Sequence, residues 1–171
     1  LDKLKKGFDP LLPGFKHAPF GDIKALQKTV SEHTCAIMVE PIQGEGGVQV
    51  ASDDYFKELR DLCHEKKVLL IFDEVQTGIG RTGLLFAYEH YGITPDIMTL
   101  AKGLASGVPI GAICARDFVA EAFEPGHHAA TFGGNALSTS VGVATLETIQ
   151  EEQLLENCQT MSQYFIEGLE K

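Results

Sequence analysis

The chain has 171 residues, of which 44% are hydrophobic, and a formal net charge of −10 at pH 7. This length and composition suit a single domain with a substantial core. Acidic and basic residues are scattered along the chain, so the negative net charge argues against binding to nucleic acid or to an anionic membrane surface.

Further classes of protein are disfavoured by the apolar pattern and by the cysteines. No apolar run reaches the roughly 18 residues that cross a bilayer, and no basic and apolar signal segment opens the sequence. We therefore expect a cytoplasmic protein. The four cysteines lie far apart and form no C-x-x-C pair, which predicts reduced thiols in the core: Cys35, Cys63, Cys114 and Cys158.

The first part of the chain predicts a loop, a helix and a strand. Residues 1–20 contain two glycines and three prolines, which is typical of a loop. Asp22 can cap a helix over about 23–31, and a buried strand over 35–39 ends at a carboxylate, Glu40. The loop over 42–48 has three glycines, which permit close backbone approach. Glu45 in this loop either faces a ligand or belongs to a simple tight turn.

The apolar run over 68–72 ends in Asp73 and follows a helix predicted over 53–66 with Ser52 as its cap. A continuous apolar run of this length is typical of a central parallel strand covered on both faces. Ligands bind beyond the carboxyl ends of such strands. We therefore expect Asp73 to lie at the edge of a pocket, where a carboxylate needs a cationic partner.

A lysine follows the next predicted strand, over 96–101, and is a candidate for that partner. If the two strands are parallel neighbours, Asp73 and Lys102 lie at the same edge of the sheet. One interpretation is a structural salt bridge. The other is a lysine bonded covalently to an electron-sink cofactor, whose ring nitrogen the carboxylate of Asp73 keeps protonated.

Residues 78–83 match the pattern G-x-G-x-x-G, so a nucleotide-binding oxidoreductase is an alternative. The match departs from the true fingerprint, in which the first glycine closely follows the strand and an acid ends the next strand. Here four polar or acidic residues intervene after Phe72, and the candidate acid, Asp96, precedes its strand.

The remaining elements are a short helix over 84–91, a strand over 108–115, a helical turn over 117–123 and helices over 136–150 and from 151 onwards. The short connection after Lys102 predicts that the strand over 108–115 is antiparallel. The adjacent His127 and His128 have no further ligand at a suitable spacing, so we expect no metal. The glycine-rich loop that contains Thr131 and precedes a helix suits a phosphate.

The last helix has apolar residues at helical spacing, which predicts one buried side: Leu154, Leu155, Cys158, Met161, Phe165 and Leu169. The sequence begins with Leu1, and this apolar helix runs to its end. We therefore expect the chain to be an excerpt of a longer protein.

Four motifs in this order and spacing make the chain resemble the class III pyridoxal-phosphate (PLP) aminotransferases of fold type I. They are the segments over 39–47, 72–83, 100–103 and 131–135. The resemblance implies an α/β fold with a mostly parallel central sheet and flanking helices. It also implies that residues 1–171 are part of the PLP-binding large domain, without the N-terminal part of that domain and without the C-terminal small domain.

The resemblance also implies a role for each residue near the cofactor. Lys102 would hold PLP as a Schiff base and then move the proton between the substrate carbon and the cofactor. Asp73 would pair with the ring nitrogen, Val75 would pack on the ring face, and Gln76 would bond the ring oxygen.

Two further roles concern the substrate and the partner subunit. Glu45 resembles the gating carboxylate on the substrate side, and Thr131 would bind the phosphate in the neighbouring subunit of a homodimer. The chain departs from the family at Ala136, where proline is usual, and at Ala130, where serine is common.

The activity that the resemblance implies is transfer of an amino group from N-acetylornithine or a related ω-amino donor to 2-oxoglutarate, as part of arginine biosynthesis. Ornithine, succinylornithine and 4-aminobutyrate are alternative donors, and an aminomutase is a further relative. The donor stays open because substrate choice lies largely in the parts that the chain lacks. A cofactor-binding or purely structural fragment without turnover is the remaining alternative.

Overall fold

The computed structural model describes residues 5–170. Its α helices are α1 (Ile23–Thr29), α2 (Asp53–Lys66), α3 (Asp117–Ala120), α4 (Ala136–Glu151) and α5 (Leu154–Leu169), and its 3-10 helices are Ala87–Tyr91 and Lys102–Ala105. The strands are β1 (Ala36–Val39), β2 (Ile42–Gln43), β3 (Gln49–Val50), β4 (Leu69–Asp73), β5 (Ile97–Leu100) and β6 (Ala112–Ala115). No helix in this part of the chain is long and apolar enough to cross a membrane.

The main sheet has the strand order β1-β4-β5-β6. β1, β4 and β5 are parallel, and β6 is antiparallel to β5, as the sequence predicted. β6 is shorter than the predicted strand over 108–115, because Pro109 and Gly111 precede it and both weaken a strand. β2 and β3 form a separate hairpin around the glycine-rich loop. The mostly parallel α/β architecture is confirmed.

Helix α2 covers one face of the sheet and contributes a large part of the core. Its cap is Ser52, which accepts the Tyr55 N–H at 3.3 Å. Phe56 is fully buried and packs edge-on against Phe72 of β4, with ring centroids 5.7 Å apart. Burial also raises the pKa of the Cys63 thiol to about 11. This packing holds β4, and therefore the strand end at Asp73, firmly in place.

The second face of the sheet is largely open, which corrects the expectation that β4 is covered on both faces. Leu70 and Phe72 are fully buried, whereas Ile71 between them is only half-buried. Met38 and Ile113, which share the second face by register, are 59% and 62% exposed. Little in residues 5–170 packs on this face.

Helix α5 is also more exposed than the sequence predicted. None of the residues expected on its buried side is buried, and Phe165 is 66% exposed. The helix contacts the glycine-rich turn over 78–83, where Leu155 and Gln159 lie against Gly80 and Gly83. The predicted buried side of this helix is therefore wrong for residues 5–170, because little in them packs on its apolar face beyond the turn over 78–83.

The prediction that all four cysteines belong to the core is wrong for three of them. Only Cys63 is buried, Cys158 is half-buried, and Cys35 and Cys114 are exposed. Cys35 lies just before β1, and Cys114 lies on the edge strand β6, so neither is covered by a helix. All four thiols are free.

A buried ion pair stabilises the amino end of the sheet. Arg60 Nη1 lies 2.9 Å from Asp96 Oδ2, and the two side chains are 9% and 6% exposed. The same carboxylate oxygen accepts the Leu70 N–H at 2.8 Å. Asp96 thus joins α2, β4 and the start of β5.

We expect Asp96→Asn to lower the free energy of unfolding by about 3–5 kcal/mol, because it leaves the Arg60 charge buried without its counter-charge. Urea denaturation of the variant measures this loss. The matched control is Glu65→Gln, which removes an exposed carboxylate 2.7 Å from Lys66 Nζ and should cost less than about 1 kcal/mol. Equal losses in the two variants would contradict the assignment.

Candidate active site

Asp73 is the last residue of β4, and its carboxylate is held by the turn that follows. Asp73 Oδ1 accepts the Val75 N–H at 3.0 Å. In the sheet Asp73 is paired with Thr99 of β5, and the side chain is half-buried. Asp73 therefore lies at the carboxyl end of a central parallel strand, as predicted.

Lys102 lies three residues beyond Thr99 and begins a 3-10 helix. Its φ of 43° is in the left-handed region, which is rare for residues other than glycine. Such strain costs about 1–3 kcal/mol and is concentrated at functional sites. The structure thus brings Lys102 and Asp73 to the same edge of the sheet, on adjacent parallel strands.

Val75 and Gln76 lie in the tight turn between Asp73 and Gly78. The turn is closed by the Gly78 N–H, which donates to Glu74 O at 2.9 Å. A Cβ at Gly78 would lie 2.8 Å from the same oxygen, so only glycine fits. The turn presents Val75 and Gln76 at the edge where Asp73 ends.

The hairpin loop that carries Glu45 lies against Gln76. A Cβ at Gly44 would fall 1.2 Å from Gln76 Oε1, which shows how closely the loop approaches. Glu40 Oε2 accepts the Gly44 N–H at 3.2 Å and helps to shape the loop. Glu45 itself is exposed. The loop that carries Glu45 thus contacts the turn that follows Asp73.

Thr131 lies in an exposed turn before α4. Asn135 is the N-cap of this helix, and its Oδ1 accepts the Ser138 N–H at 3.0 Å. Ser138 Oγ donates to Pro109 O at 3.1 Å. Within the described residues, no hydrogen bond joins Thr131 to Asp73, Gln76 or Lys102. Thr131 therefore lies in a loop of its own, whereas Asp73, Val75, Gln76 and Lys102 lie at the ends of β4 and β5.

The alternatives raised by the sequence differ in how they fit this geometry. Between residues 5 and 170, no carboxylate lies within ion-pair distance of Lys102, so the simple salt bridge is absent. The turn over 78–83 opens no helix, and Gly83 O accepts Gln159 Nε2–H from α5 at 2.7 Å. The turn therefore lacks the arrangement of a dinucleotide fingerprint. In the described part of the chain, no cluster of three metal-ligating side chains occurs.

The residues at this edge fit PLP by their chemistry. An amine suits the covalent link to the cofactor, a carboxylate suits a protonated ring nitrogen, and an amide suits the ring oxygen. Thr99 lies on β5, opposite Asp73 in the sheet. Its Oγ1 is buried and has no hydrogen-bond partner among the described residues.

A cavity of about 870 Å³ borders this edge, because Thr99 and Leu100 line it together with residues of β6 and His128. A second cavity, of about 540 Å³, lies between the turn over 81–83 and α5. Neither cavity is lined by Asp73 or Lys102.

Two residues at this edge, Glu74 and Thr99, were missed by the motif analysis. Glu74 is completely buried, although acids rarely are. The alternation along β4 puts Leu70, Phe72 and Glu74 on the same inward side, and this period of two was available in the sequence.

A family model for the class III aminotransferases matches residues 1–171. The chain belongs to the class III aminotransferases. The resemblance seen in the four motifs is thereby confirmed, and PLP is the cofactor of this family.

Relatives of known name are similar over nearly the whole chain. An acetylornithine aminotransferase of Caldanaerobacter subterraneus subsp. tengcongensis is 55% identical over 169 residues, covering 99% of the chain and 43% of the relative. One of Methanocaldococcus jannaschii is 52% identical over 168 residues, covering 98% and 42%. The chain therefore spans about two fifths of the length of these aminotransferases.

Solved aminotransferases have the same fold. An ornithine aminotransferase of Toxoplasma gondii matches with a TM-score of 0.94 and 40% identity, over 99% of the chain and 40% of that protein, and it has partial occupancy of PLP at its active site. An acetylornithine aminotransferase of Elizabethkingia anophelis matches with a TM-score of 0.87 and 41% identity, over 92% and 40%. The predicted fold class is confirmed, and the chain is a fragment relative to these structures.

Proposed function

We propose that the full-length protein transfers an amino group from N-acetylornithine, or a related ω-amino donor, to 2-oxoglutarate with PLP as cofactor, as part of arginine biosynthesis. The observation that carries this proposal is the position of Asp73 and of the strained Lys102 at the carboxyl ends of adjacent parallel strands. The names of the relatives support N-acetylornithine as the donor. We also propose that the protein is cytoplasmic.

Each residue at this edge has a distinct role in the proposal. Lys102 Nζ would hold the cofactor covalently and, when free, would accept the proton of the substrate carbon and return it. Asp73 keeps a positive charge on the ring nitrogen, Val75 packs on the ring, and Gln76 bonds the ring oxygen. Bound PLP supplies the electron sink for the substrate carbon.

A donor panel tests the proposed substrate. The full-length protein, loaded with PLP, is assayed for glutamate formation from 2-oxoglutarate with N-acetylornithine, ornithine, succinylornithine and 4-aminobutyrate. We expect kcat/KM for N-acetylornithine to exceed the others by about tenfold or more, which corresponds to a modest difference in transition-state binding. Because ornithine aminotransferase structures are also close in fold, a higher value for ornithine would assign that activity instead.

We further propose that residues 1–171 are part of the PLP-binding large domain and do not turn over alone. The open second face of the sheet and the exposure of Lys102 support this, because an active site must exclude water. The same assay on the isolated chain should give no glutamate. Turnover by the isolated chain would contradict the proposed division.

Glu45 and Thr131 complete the proposed site from loops. Glu45 acts as the gating carboxylate on the substrate side, supported by the contact of its loop with Gln76. Thr131 binds the cofactor phosphate of the partner subunit in a homodimer, supported by its exposed position in the glycine-rich turn before α4. An isologous interface repeats that contact in both sites.

Mixing two inactive variants tests the shared site. Full-length Lys102→Ala and Thr131→Ala subunits are unfolded and refolded together. Each mixed dimer then has one site with both defects and one with neither, so we expect activity above the sum of the two variants alone. If Thr131 serves its own subunit, every site keeps a defect and mixing gives no gain. A tag on each subunit confirms that exchange occurred.

A further inference from the structure

Glu74, the residue after Asp73, is a buried carboxylate that the proposed roles leave unused. It is 0% exposed. Its Oε1 accepts the Tyr88 N–H at 2.8 Å, and its Oε2 accepts the Thr77 hydroxyl. Within residues 5–170 no cation lies within ion-pair distance of it. The carboxylate is therefore held by hydrogen bonds alone.

The backbone of Glu74 adds two more hydrogen bonds. Its N–H donates to Thr99 O at 3.0 Å, and its carbonyl accepts the Gly78 N–H at 2.9 Å. Together with the side chain, these bonds join the end of β4 to β5, to the turn over 74–78 and to the 3-10 helix Ala87–Tyr91. Glu74 thus makes hydrogen bonds to all of these elements.

The residues fixed by this arrangement are those of the proposed cofactor site. Asp73 precedes Glu74, and its carboxylate takes its orientation from the Val75 N–H on the other side. Gln76 follows in the same turn, where it meets Gly44 of the hairpin loop. A rotation of the turn about Glu74 would therefore displace Asp73 and Gln76 together.

We propose that Glu74 is a positioning residue, whose buried carboxylate sets the orientation of Asp73 and Gln76 toward the cofactor; this role rests on the proposed function. A buried carboxylate without a cation is costly, and an apolar side chain of similar volume would suit the surrounding core better. Hydrogen bonds to a charged acceptor are stronger and more directional than neutral ones. They supply the fixed geometry that a cofactor site requires.

The test compares two substitutions of Glu74 in the full-length protein. Glu74→Gln keeps an acceptor for the Tyr88 N–H and a polar group beside Thr77, whereas Glu74→Met keeps the volume and removes both contacts. We measure the dissociation constant of PLP by absorbance titration, together with the visible spectrum of bound PLP. The control is Asp96→Asn, which disturbs another buried carboxylate that also accepts a backbone N–H, at the opposite edge of the sheet.

We expect Glu74→Met to raise the dissociation constant about tenfold or more and to change the spectrum, because two hydrogen bonds to a charged group are lost. Glu74→Gln should stay within about threefold of wild type, since it replaces both contacts. Asp96→Asn should lower stability and leave PLP binding unchanged. Wild-type binding by folded Glu74→Met, or an equal loss in Asp96→Asn, would overturn the role.

If Glu74→Met fails to fold, Thr77→Val decides the question, because it removes only one partner of the carboxylate. A rise of about threefold or more in the dissociation constant supports the role, as expected for one lost hydrogen bond, and wild-type binding overturns it. Failure of the wild-type protein to bind PLP would overturn the proposed function as well. Normal wild-type binding with unaffected variants would overturn the role of Glu74 alone.

Discussion

Lys102→Ala in the full-length protein is expected to lower kcat by more than about 10³-fold, because one side chain supplies both the covalent link and the proton transfer. PLP should still bind without a covalent bond, since other groups hold its phosphate and ring. Steady-state kinetics and the absorbance of bound PLP measure the two effects separately.

Lys67→Ala is the matched control for this variant. Lys67 is also an exposed lysine with a left-handed backbone, with φ 55° against 43° for Lys102. Alanine at either position therefore bears a similar backbone strain. Only Lys102 lies at the carboxyl ends of the strands, since Lys67 precedes β4. Lys67→Ala should keep wild-type turnover. Normal turnover in Lys102→Ala would show that another residue carries the reaction.

Asp73→Asn is expected to lower kcat roughly 10³-fold, although the two side chains have nearly the same shape. The amide oxygen can still accept the Val75 N–H, so the turn should keep its geometry. What is lost is the negative charge, which at hydrogen-bond distance from a cationic ring is worth about 5 kcal/mol at an effective dielectric near 20. An amide cannot favour the protonated ring in this way.

Two measurements separate this explanation from a loss of folding. The unfolding midpoint of Asp73→Asn should remain near that of wild type, and the visible spectrum of its bound PLP should change. Wild-type kcat in this variant would show that the charge of Asp73 is not needed for turnover. A normal spectrum with a low unfolding midpoint would mean that Asp73 has a structural role only.

The sequence predicted the carboxyl ends of β4 and β5 well, because patterns within a few residues determine them. The apolar run before Asp73, the Ser52 cap of α2 and the short connection after Lys102 each act over a few residues. The order of the strands follows from the same elements, since successive parallel strands tend to be neighbours. Two successive apolar runs were therefore enough to place Asp73 and Lys102 at the ends of neighbouring strands.

The predictions that failed concern burial, which depends on distant parts of a protein. Phe165 and Ile113 have the pattern of covered residues, yet residues 5–170 provide nothing to cover them. The exposure of Cys35 and Cys114 has the same cause. The left-handed backbone of Lys102 was also beyond sequence reasoning, because no local pattern marks a non-glycine residue for φ above zero.

Borohydride trapping is the most direct test of the central claim, that Lys102 is the residue bonded to PLP. The full-length protein is incubated with PLP, reduced with borohydride, digested and analysed by mass spectrometry, with Lys102→Ala treated in parallel. We predict the mass of reduced PLP on the peptide that contains Lys102, and no such label in the variant. Label on a different lysine, or none on a protein that binds PLP, would contradict the assignment.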